Sequence, residues 1–495
     1  MGASQTEHEP VEEVTLDPQD WGELRALSHR IVDDAIAYVS GVRDRRVWQE
    51  MPEDVRASFA TALPQAPTPT EDVYREVAAN ILGYPMGNIH PRFWSWYMGS
   101  SNFTGALGDF LAAVQGSNLG GGNHAAALMD QQVVDWCKEM VGFPASASGT
   151  LVSGGSVANI IGLAVARNAK AGVDVRELGV AAIERPLRYY GSDQMHSCHR
   201  KGMETLGLGN QALRRIPTDA ALRLDLDALR HAITEDRAAG FKPACVIATA
   251  GTVNTGAIDD LQALASVAAR EDLWLHVDGC IGALIAIAPD NRFRVAGIEK
   301  ANSVALDPHK WLHAPFEAGC VLVQDAGVHR ETFAVTPVYL VATARGLAAA
   351  PWLYDYGLQT TRGFRALKIW MSLKENGIAK FGRLVDQNIA QGRYLSDLIE
   401  AEPSLELVAP TNINIVCFRY RCEGKHGDEL KALNTEIMLR LQDEGTAVLS
   451  DTTVHGEHCL RVAINNHRTK RRDLKLLVEE VVRLGREIVG AQAAA

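Results

Sequence analysis

The sequence predicts an α/β protein with three parts: a large domain on a mostly parallel sheet, an N-terminal helical segment before it, and a small α+β domain after it. Three observations carry this. Between about residues 86 and 380, short apolar runs bounded by turns alternate with helical stretches, the pattern of a sheet covered on both faces. The proline-rich segment LPQAPTPTED, with Pro64, Pro67 and Pro69, reads as a linker ahead of that region. Beyond about residue 380, a long helical passage leads into isolated strand-like runs, NINIVCFRY and HCLRVAI, separated by helical stretches.

In chain order, residues 1–15 are acidic and polar and are expected to be disordered. Asp17-Pro18 then offers cap-and-proline chemistry for a helix start. Trp21, Leu24, Ile31, Ala35 and Tyr38 follow at helical spacing. These give boundaries of 1–85 for the helical segment, 86–380 for the large domain and 381–495 for the small one. Within the large domain the runs ACVIATA, LWLHV, NSVAL and CVLVQ, and one around Val180–Ala182, read as strands; NIIGLAVARNAKA and DLQALASVAARE read as helices. In such a sheet, ligands gather at the C-terminal ends of the strands.

The 495 residues carry 49 basic and 60 acidic side chains, a net charge of −11, which argues against a nucleic-acid surface. No apolar run is long enough for a membrane span, and the acidic N-terminus lacks the features of a secretory signal. The eight cysteines are scattered without metal-type spacing, and several lie in apolar runs. They read as reduced core thiols in a cytoplasmic protein.

The chemistry-bearing residues sit where strands end. Ser303–Leu306 ends in the turn Asp307-Pro308-His309-Lys310-Trp311, and Leu273–Val277 ends in Asp278. A lysine nucleophile and a carboxylate so placed suit a pyridoxal phosphate enzyme, in which the lysine bonds the cofactor and the carboxylate holds its ring nitrogen protonated. Singly, Lys310 also reads as an exposed loop lysine, and Asp278 as a helix cap. Ser153-Gly154-Gly155-Ser156 leads into an apolar helix and offers free N–H groups to a phosphate, or is a plain loop-to-helix cap. His196, in QMHSC, could stack on a ring and move protons, or be a core histidine.

The order glycine-rich turn, His196, ATAGT with Thr252, Asp278, Lys310 resembles fold-type I pyridoxal phosphate enzymes. D-P-H-K-W, W-L-H-V-D, A-T-A-G-T-x-x-x-G-A-x-D and L-R-V-A-I-x-N-H-R-T resemble the group II amino-acid decarboxylases over about residues 20–480. The resemblance implies Lys310 as the Schiff-base lysine, Asp278 on the pyridine nitrogen and His196 over the ring. It places Gly155 and Ser156 at the phosphate, Ser303 and His309 nearby, Thr252 at the cofactor, Asp259 near Lys310 and Arg362 at the site. Tyr339, in TPVYL, matches the family's mobile-loop tyrosine, which protonates the substrate carbon after CO₂ leaves. A relative with phenylalanine there makes aldehydes. The family expectation is a homodimer with sites at the subunit interface.

The substrate side departs from the family. The aromatic cluster Phe93-Trp94-Ser95-Trp96-Tyr97 is followed by Met98-Gly99 where the family has Pro-Thr, leaving Ser100, Ser101 or Asn102 to replace carboxylate contacts. Gly279 replaces an alanine that packs under the ring, and Thr361 occupies a substrate-sorting position. Gly120–His124, with Asn123, would reach the partner's site. Trp94, Trp96, Tyr97, Met98, Asn123 and Arg362 are the substrate candidates, with core packing the other reading of the aromatics. The expected activity is decarboxylation of an apolar or aromatic L-amino acid to its amine and CO₂. Oxidative deamination or transamination on the same scaffold, and a catalytically idle binding protein, are the alternatives.

Overall fold

The near-continuous apolar strands of the large domain form one seven-stranded sheet because helices cover both its faces. The structure is a computed structural model and describes residues 14–335 and 343–494. The strands are β1 Ser148–Val152, β2 Leu187–Ser192, β3 Leu213–Ile216, β4 Lys242–Thr249, β5 Trp274–Asp278, β6 Ser303–Leu306 and β7 Gly319–Val323. Their order across the sheet is β1-β7-β6-β5-β4-β2-β3. Only β7 runs against its neighbours β1 and β6; the pairings of β2 with β3 and β4, β4 with β5, and β5 with β6 are parallel. The C-terminal ends of β1, β2, β4, β5 and β6 therefore share one edge of the sheet.

Two strand readings differ from expectation. Val180–Ala182 is a single 3-10 turn. The strand comes later, at Leu187–Ser192, whose sequence LRYYGS carries an arginine and two tyrosines and has no plain apolar run.

A second sheet, order β10-β11-β9-β8, is built from β8 Leu405–Leu407, β9 Ile415–Tyr420, β10 Ser450–Val454 and β11 Glu457–Ala463, all antiparallel. The helices Gly427–Asp443 and Arg471–Ala494 pack on it. The aromatic cluster joins this layer: Phe93 bridges Val448 in parallel, and the Ala463 N–H donates to the Trp94 carbonyl at 3.0 Å.

The chain divides into two compact units, Met1–Arg45 with Met51–Gly83, and Arg46–Glu50 with Tyr84–Ala495. In the first unit the long helix is Trp21–Ser40, and its cap is Asp20 rather than Asp17-Pro18. The Asp20 carboxylate accepts from the N–H groups of Gly22 and Glu23, two of the donors a helix start leaves open. Among the described residues no helix is long and apolar enough to cross a membrane. All eight cysteines are free, and all but Cys422 are buried.

Arg362 ties the large domain together from within. Its Nη1 donates to the Leu119 carbonyl (2.7 Å), and its Nη2 donates to the Leu151 carbonyl (3.1 Å) and to Asp130 (3.2 Å). Both ionic partners are buried. Loss of one member of such a pair leaves a buried charge uncompensated. Arg362→Leu should lower unfolding free energy by about 3 kcal/mol, read as a fall in the guanidinium midpoint.

Candidate active site

From the end of β6 the chain passes through Asp307 into the one-turn helix Pro308–Trp311. Trp311 is fully buried and anchors the turn by donating from Nε1 to Asn388 Oδ1 (3.1 Å). Lys310 is thereby carried to the wall of a cavity of about 550 Å³. Asp278, His196, Gly155, Ser156 and His309 line the same cavity; Asp278 comes from the end of β5, Gly155 and Ser156 from the helix start after β1, and His309 from the turn that carries Lys310.

Lys310 Nζ lies 3.0 Å from Asp307 Oδ2. Burial pulls the lysine pKa down, but the Asp307 charge and hydrogen bond outweigh it, so the pKa stands above the ordinary lysine value. A lysine among apolar groups is expected to move the other way; the motif's own aspartate reverses the sign. Asp307 Oδ1 is buried with no partner among the described residues.

Asp278 closes β5 and is buried. Its Oδ2 accepts from His199 Nε2 (2.9 Å) and its Oδ1 from the Cys280 N–H (3.2 Å). Burial pushes its pKa up, but the hydrogen bond and electrostatic pull of His199, then the Cys280 N–H, hold it well below the usual carboxylate range. These donors favour the ionised form of Asp278 within a buried wall. His196 also lines the cavity, its Nδ1 accepting from the Cys198 N–H (3.2 Å). Burial lowers its pKa and favours the neutral ring.

The 17-residue helix Gly155–Ala171 starts at the cavity wall, where it could hold an anion. Gly154 caps it without a side-chain bond, so the first-turn N–H groups have no side-chain acceptor. A side chain at Gly155 would stand 2.4 Å from Cys280 Sγ and 2.8 Å from Asp307 Oδ2, so only glycine leaves this space open. His309, with burial lowering its pKa, accepts the Ala318 N–H on Nδ1 (3.2 Å) and packs 4.8 Å from the Phe316 ring.

Several expected site residues act one layer back. Ser303 Oγ accepts from Trp274 Nε1 (2.8 Å) and bonds His276 Nδ1 (2.8 Å), which supports β5 from beneath the cavity rather than reaching into it. The Thr252 hydroxyl is taken by Thr255 Oγ1 and the Ala257 N–H, so it shapes the turn that brings Gly251 and Val253 to the wall. Asp259 is not spent on Lys310: its oxygens accept from the Leu224 and Thr249 N–H groups (2.7 Å each), and burial raises its pKa to about 6. Arg362 is the internal tie described above and does not line the cavity.

On the substrate side the cluster splits. Trp94 is fully buried in the core of the small sheet, its Nε1 donating to Thr469 Oγ1 (3.3 Å), so it is packing and not a contact. Trp96, Tyr97 and Met98 line the cavity. Trp96 is 53% exposed and has φ of 52°, a left-handed backbone costly for an aromatic residue. Tyr97 is buried, edge-on to Trp311, with its ring centroid 5.8 Å from Lys310 Nζ. Ser100 and Asn102 do not replace the Pro-Thr pair: Ser100 Oγ bonds His313 Nδ1 (3.1 Å), and Asn102 Oδ1 caps the helix Phe103–Gln115. Asn123 and Thr361 are exposed and do not line this chain's cavity. Tyr339 lies outside the described residues.

The two glycine departures have steric causes. A Cβ at Gly99 would lie 1.8 Å from the His309 carbonyl oxygen, so glycine lets this loop press against the lysine turn. A Cβ at Gly279 would stand 2.6 Å from that of Ala283 and 2.9 Å from the Ala305 carbonyl oxygen.

Residues not singled out in the sequence complete the site. Asp307 stood inside the DPHKW motif without a role. Arg461 lines the cavity, its Nη2 buried with no partner among the described residues and its pKa lowered to about 10 by burial. A charge inside the apolar strand LRVAI was the signal for it. His199 had none beyond its place in HSCHR.

Residues 52–421 match the pyridoxal-dependent decarboxylase conserved domain. The chain belongs to this family. It is 32% identical over 472 residues to an aromatic-L-amino-acid decarboxylase of Bacillus atrophaeus, covering 94% of this chain and 96% of that one. A solved structure of Oryza sativa TDC with PLP and tryptamine is similar at a TM-score of 0.88 and 26% identity, covering 96% of this chain and 100% of that one. A phenylacetaldehyde synthase of Petunia hybrida is 27% identical over 468 residues, 91% of each chain. The protein is a pyridoxal phosphate-dependent amino-acid decarboxylase. Its residues fit that cofactor by their chemistry: the Lys310 amine, the Asp278 carboxylate and a helix start with no side-chain cap bond face one cavity.

Only the free amine of Lys310 reacts with an aldehyde, and Asp307 holds it protonated to higher pH. Cofactor uptake by apoenzyme should therefore rise with pH. Asp307→Asn lowers the lysine pKa and should shift that profile to lower pH, giving faster uptake near neutrality. The growth of visible absorbance after mixing reads this; an unmoved profile would contradict the ion pair's role.

Proposed function

We propose that this enzyme removes the α-carboxylate of an aromatic or apolar L-amino acid, giving the amine and CO₂, and that it works as a cytoplasmic homodimer. One observation carries the substrate class. Among the residues that line the cavity with Lys310 are Trp96, Tyr97, Met98, Val253, Ile281 and Phe316, apolar groups against which a large apolar side chain is buried favourably. The named activities of the Bacillus and Oryza relatives point the same way. For the dimer, the helix Phe103–Gln115 leaves Phe110 and Val114 more than 60% exposed, an apolar face suited to a second copy. Asn123 on the neighbouring glycine loop would then serve the partner's site.

In this reading Lys310 holds the cofactor, Gly155 and Ser156 hold its phosphate with His309 beside them, and Asp278 pairs with its ring nitrogen. Bound pyridoxal phosphate supplies an electron sink for the pair left by the breaking C–C bond. His196 is the flat neutral ring on the cavity wall that covers the cofactor and keeps water from it. Arg461 is the cavity-lining guanidinium left to meet the substrate carboxylate once Lys310 is committed. Tyr339 delivers the proton to the substrate's α-carbon as general acid.

A panel of the twenty amino acids with purified holoenzyme tests the proposal. Amine and CO₂ from tryptophan, tyrosine, phenylalanine or an aliphatic amino acid support it; aldehyde with ammonia and oxygen uptake would replace it with oxidative deamination, the aldehyde-forming alternative suggested by the aldehyde-synthase relatives. Tyr339→Phe should cut amine formation by about 10²-fold or more, the usual size of a lost general acid, and divert product toward aldehyde. Undiminished amine from that variant would remove Tyr339 from the mechanism.

A further inference from the structure

The segment Gln194–Arg200 holds two histidines three residues apart at the start of the helix Cys198–Thr205. His196 meets the cavity. His199 is fully buried, and no step above uses it. Its Nε2 lies 2.9 Å from Asp278 Oδ2. An ionised carboxylate can only accept, so Nε2 carries the hydrogen and donates it. Nδ1, on the far side of the ring, is buried with no partner among the described residues. The fold therefore leaves a ring nitrogen unsatisfied in order to keep the opposite one on the carboxylate.

The neighbouring histidine cannot take this place. His276 stands edge-on to His199, ring centroids 6.4 Å apart, and both its nitrogens are engaged. Trp274 Nε1 can only donate, so Ser303 Oγ accepts from it and turns its own hydrogen to His276 Nδ1. His276 Nε2 then donates to Asn159 Oδ1 (2.8 Å), and the Asn159 amide points at the sulfurs of Cys198 and Cys280. Burial lowers the His276 pKa to about 3, so this ring stays neutral with its tautomer fixed. Among the described residues the Asp278 carboxylate has two donors, the Cys280 N–H and His199, and His199 is the side chain of the two.

We propose that His199 is a positioning residue: its Nε2–H fixes the orientation of the Asp278 carboxylate and keeps it anionic toward the cofactor's ring nitrogen. Without that donor a buried carboxylate favours its protonated form. A protonated carboxyl cannot hold the ring nitrogen protonated, and the electron sink weakens. The inference rests on Asp278 serving that nitrogen, as read above.

Three variants of the holoenzyme decide it. His199→Gln keeps a donor near the Nε2 position, His199→Asn places its amide near Nδ1, and His199→Leu has none. The readouts are the visible absorption band of the bound cofactor and its dissociation constant by equilibrium dialysis. The asparagine and leucine variants should shift the band and weaken cofactor retention about tenfold or more, the scale of a hydrogen bond to a charged group; the glutamine variant should stay near the parent. Unchanged band and affinity in all three overturn the proposal, as does equal loss in the glutamine and asparagine variants. If the leucine variant does not fold, the Gln–Asn pair, alike in polarity and different in reach, still gives the answer. Asp278→Asn is the reference. If it changes both readouts while the His199 variants change neither, only His199's role falls; if it changes neither, the reading of Asp278 falls with it.

Discussion

A carboxylate kept ionised inside an apolar sheet is the constraint on which this structure turns. Asp278 ends a strand whose five residues are all buried, where an isolated anion is very unfavourable. Two donors and the edge of a parallel sheet make it tolerable. Strands β4, β5 and β6 run the same way, so Asp278 and the Lys310 turn emerge at one edge, and β1 delivers the glycine helix start beside them. These groups are distant in sequence, and strand direction brings them to one edge.

A second charge balance lines the same cavity. Asp307 and Lys310 form a buried pair three residues apart on one turn. The pair holds the lysine in place but also holds it charged, so the same contact that organises the site opposes its loading. The mutual approach of Gly99 and the His309 carbonyl belongs to this economy of space, since the substrate-side loop can press on the lysine turn only where no Cβ intervenes.

Much of this was legible in the sequence. Alternating apolar runs and helices gave the parallel sheet, and the lysine and aspartate at strand ends marked the cofactor side, because buried strands ending in charged residues need a reason. What stayed hidden depends on side-chain direction. Ser303, Thr252 and Arg362 stand in family motifs, yet their polar atoms turn to Trp274, to Thr255 and to Asp130. Nothing in one dimension says which way a hydroxyl or guanidinium points. Trp94 and Trp96 are two residues apart, and one is core while the other is cavity wall; a left-handed residue at Trp96 breaks the regular alternation. Beta strands rich in polar residues, such as LRYYGS and SDTTV, carried too little hydrophobic pattern to be seen.

Covalent trapping of the cofactor tests the central claim most directly. Borohydride reduction of the holoenzyme, followed by proteolysis and peptide mass mapping, should place one phosphopyridoxyl group per chain on Lys310, with loss of the visible band. A label on another lysine, or retention of the cofactor without any covalent link, would contradict the site described here.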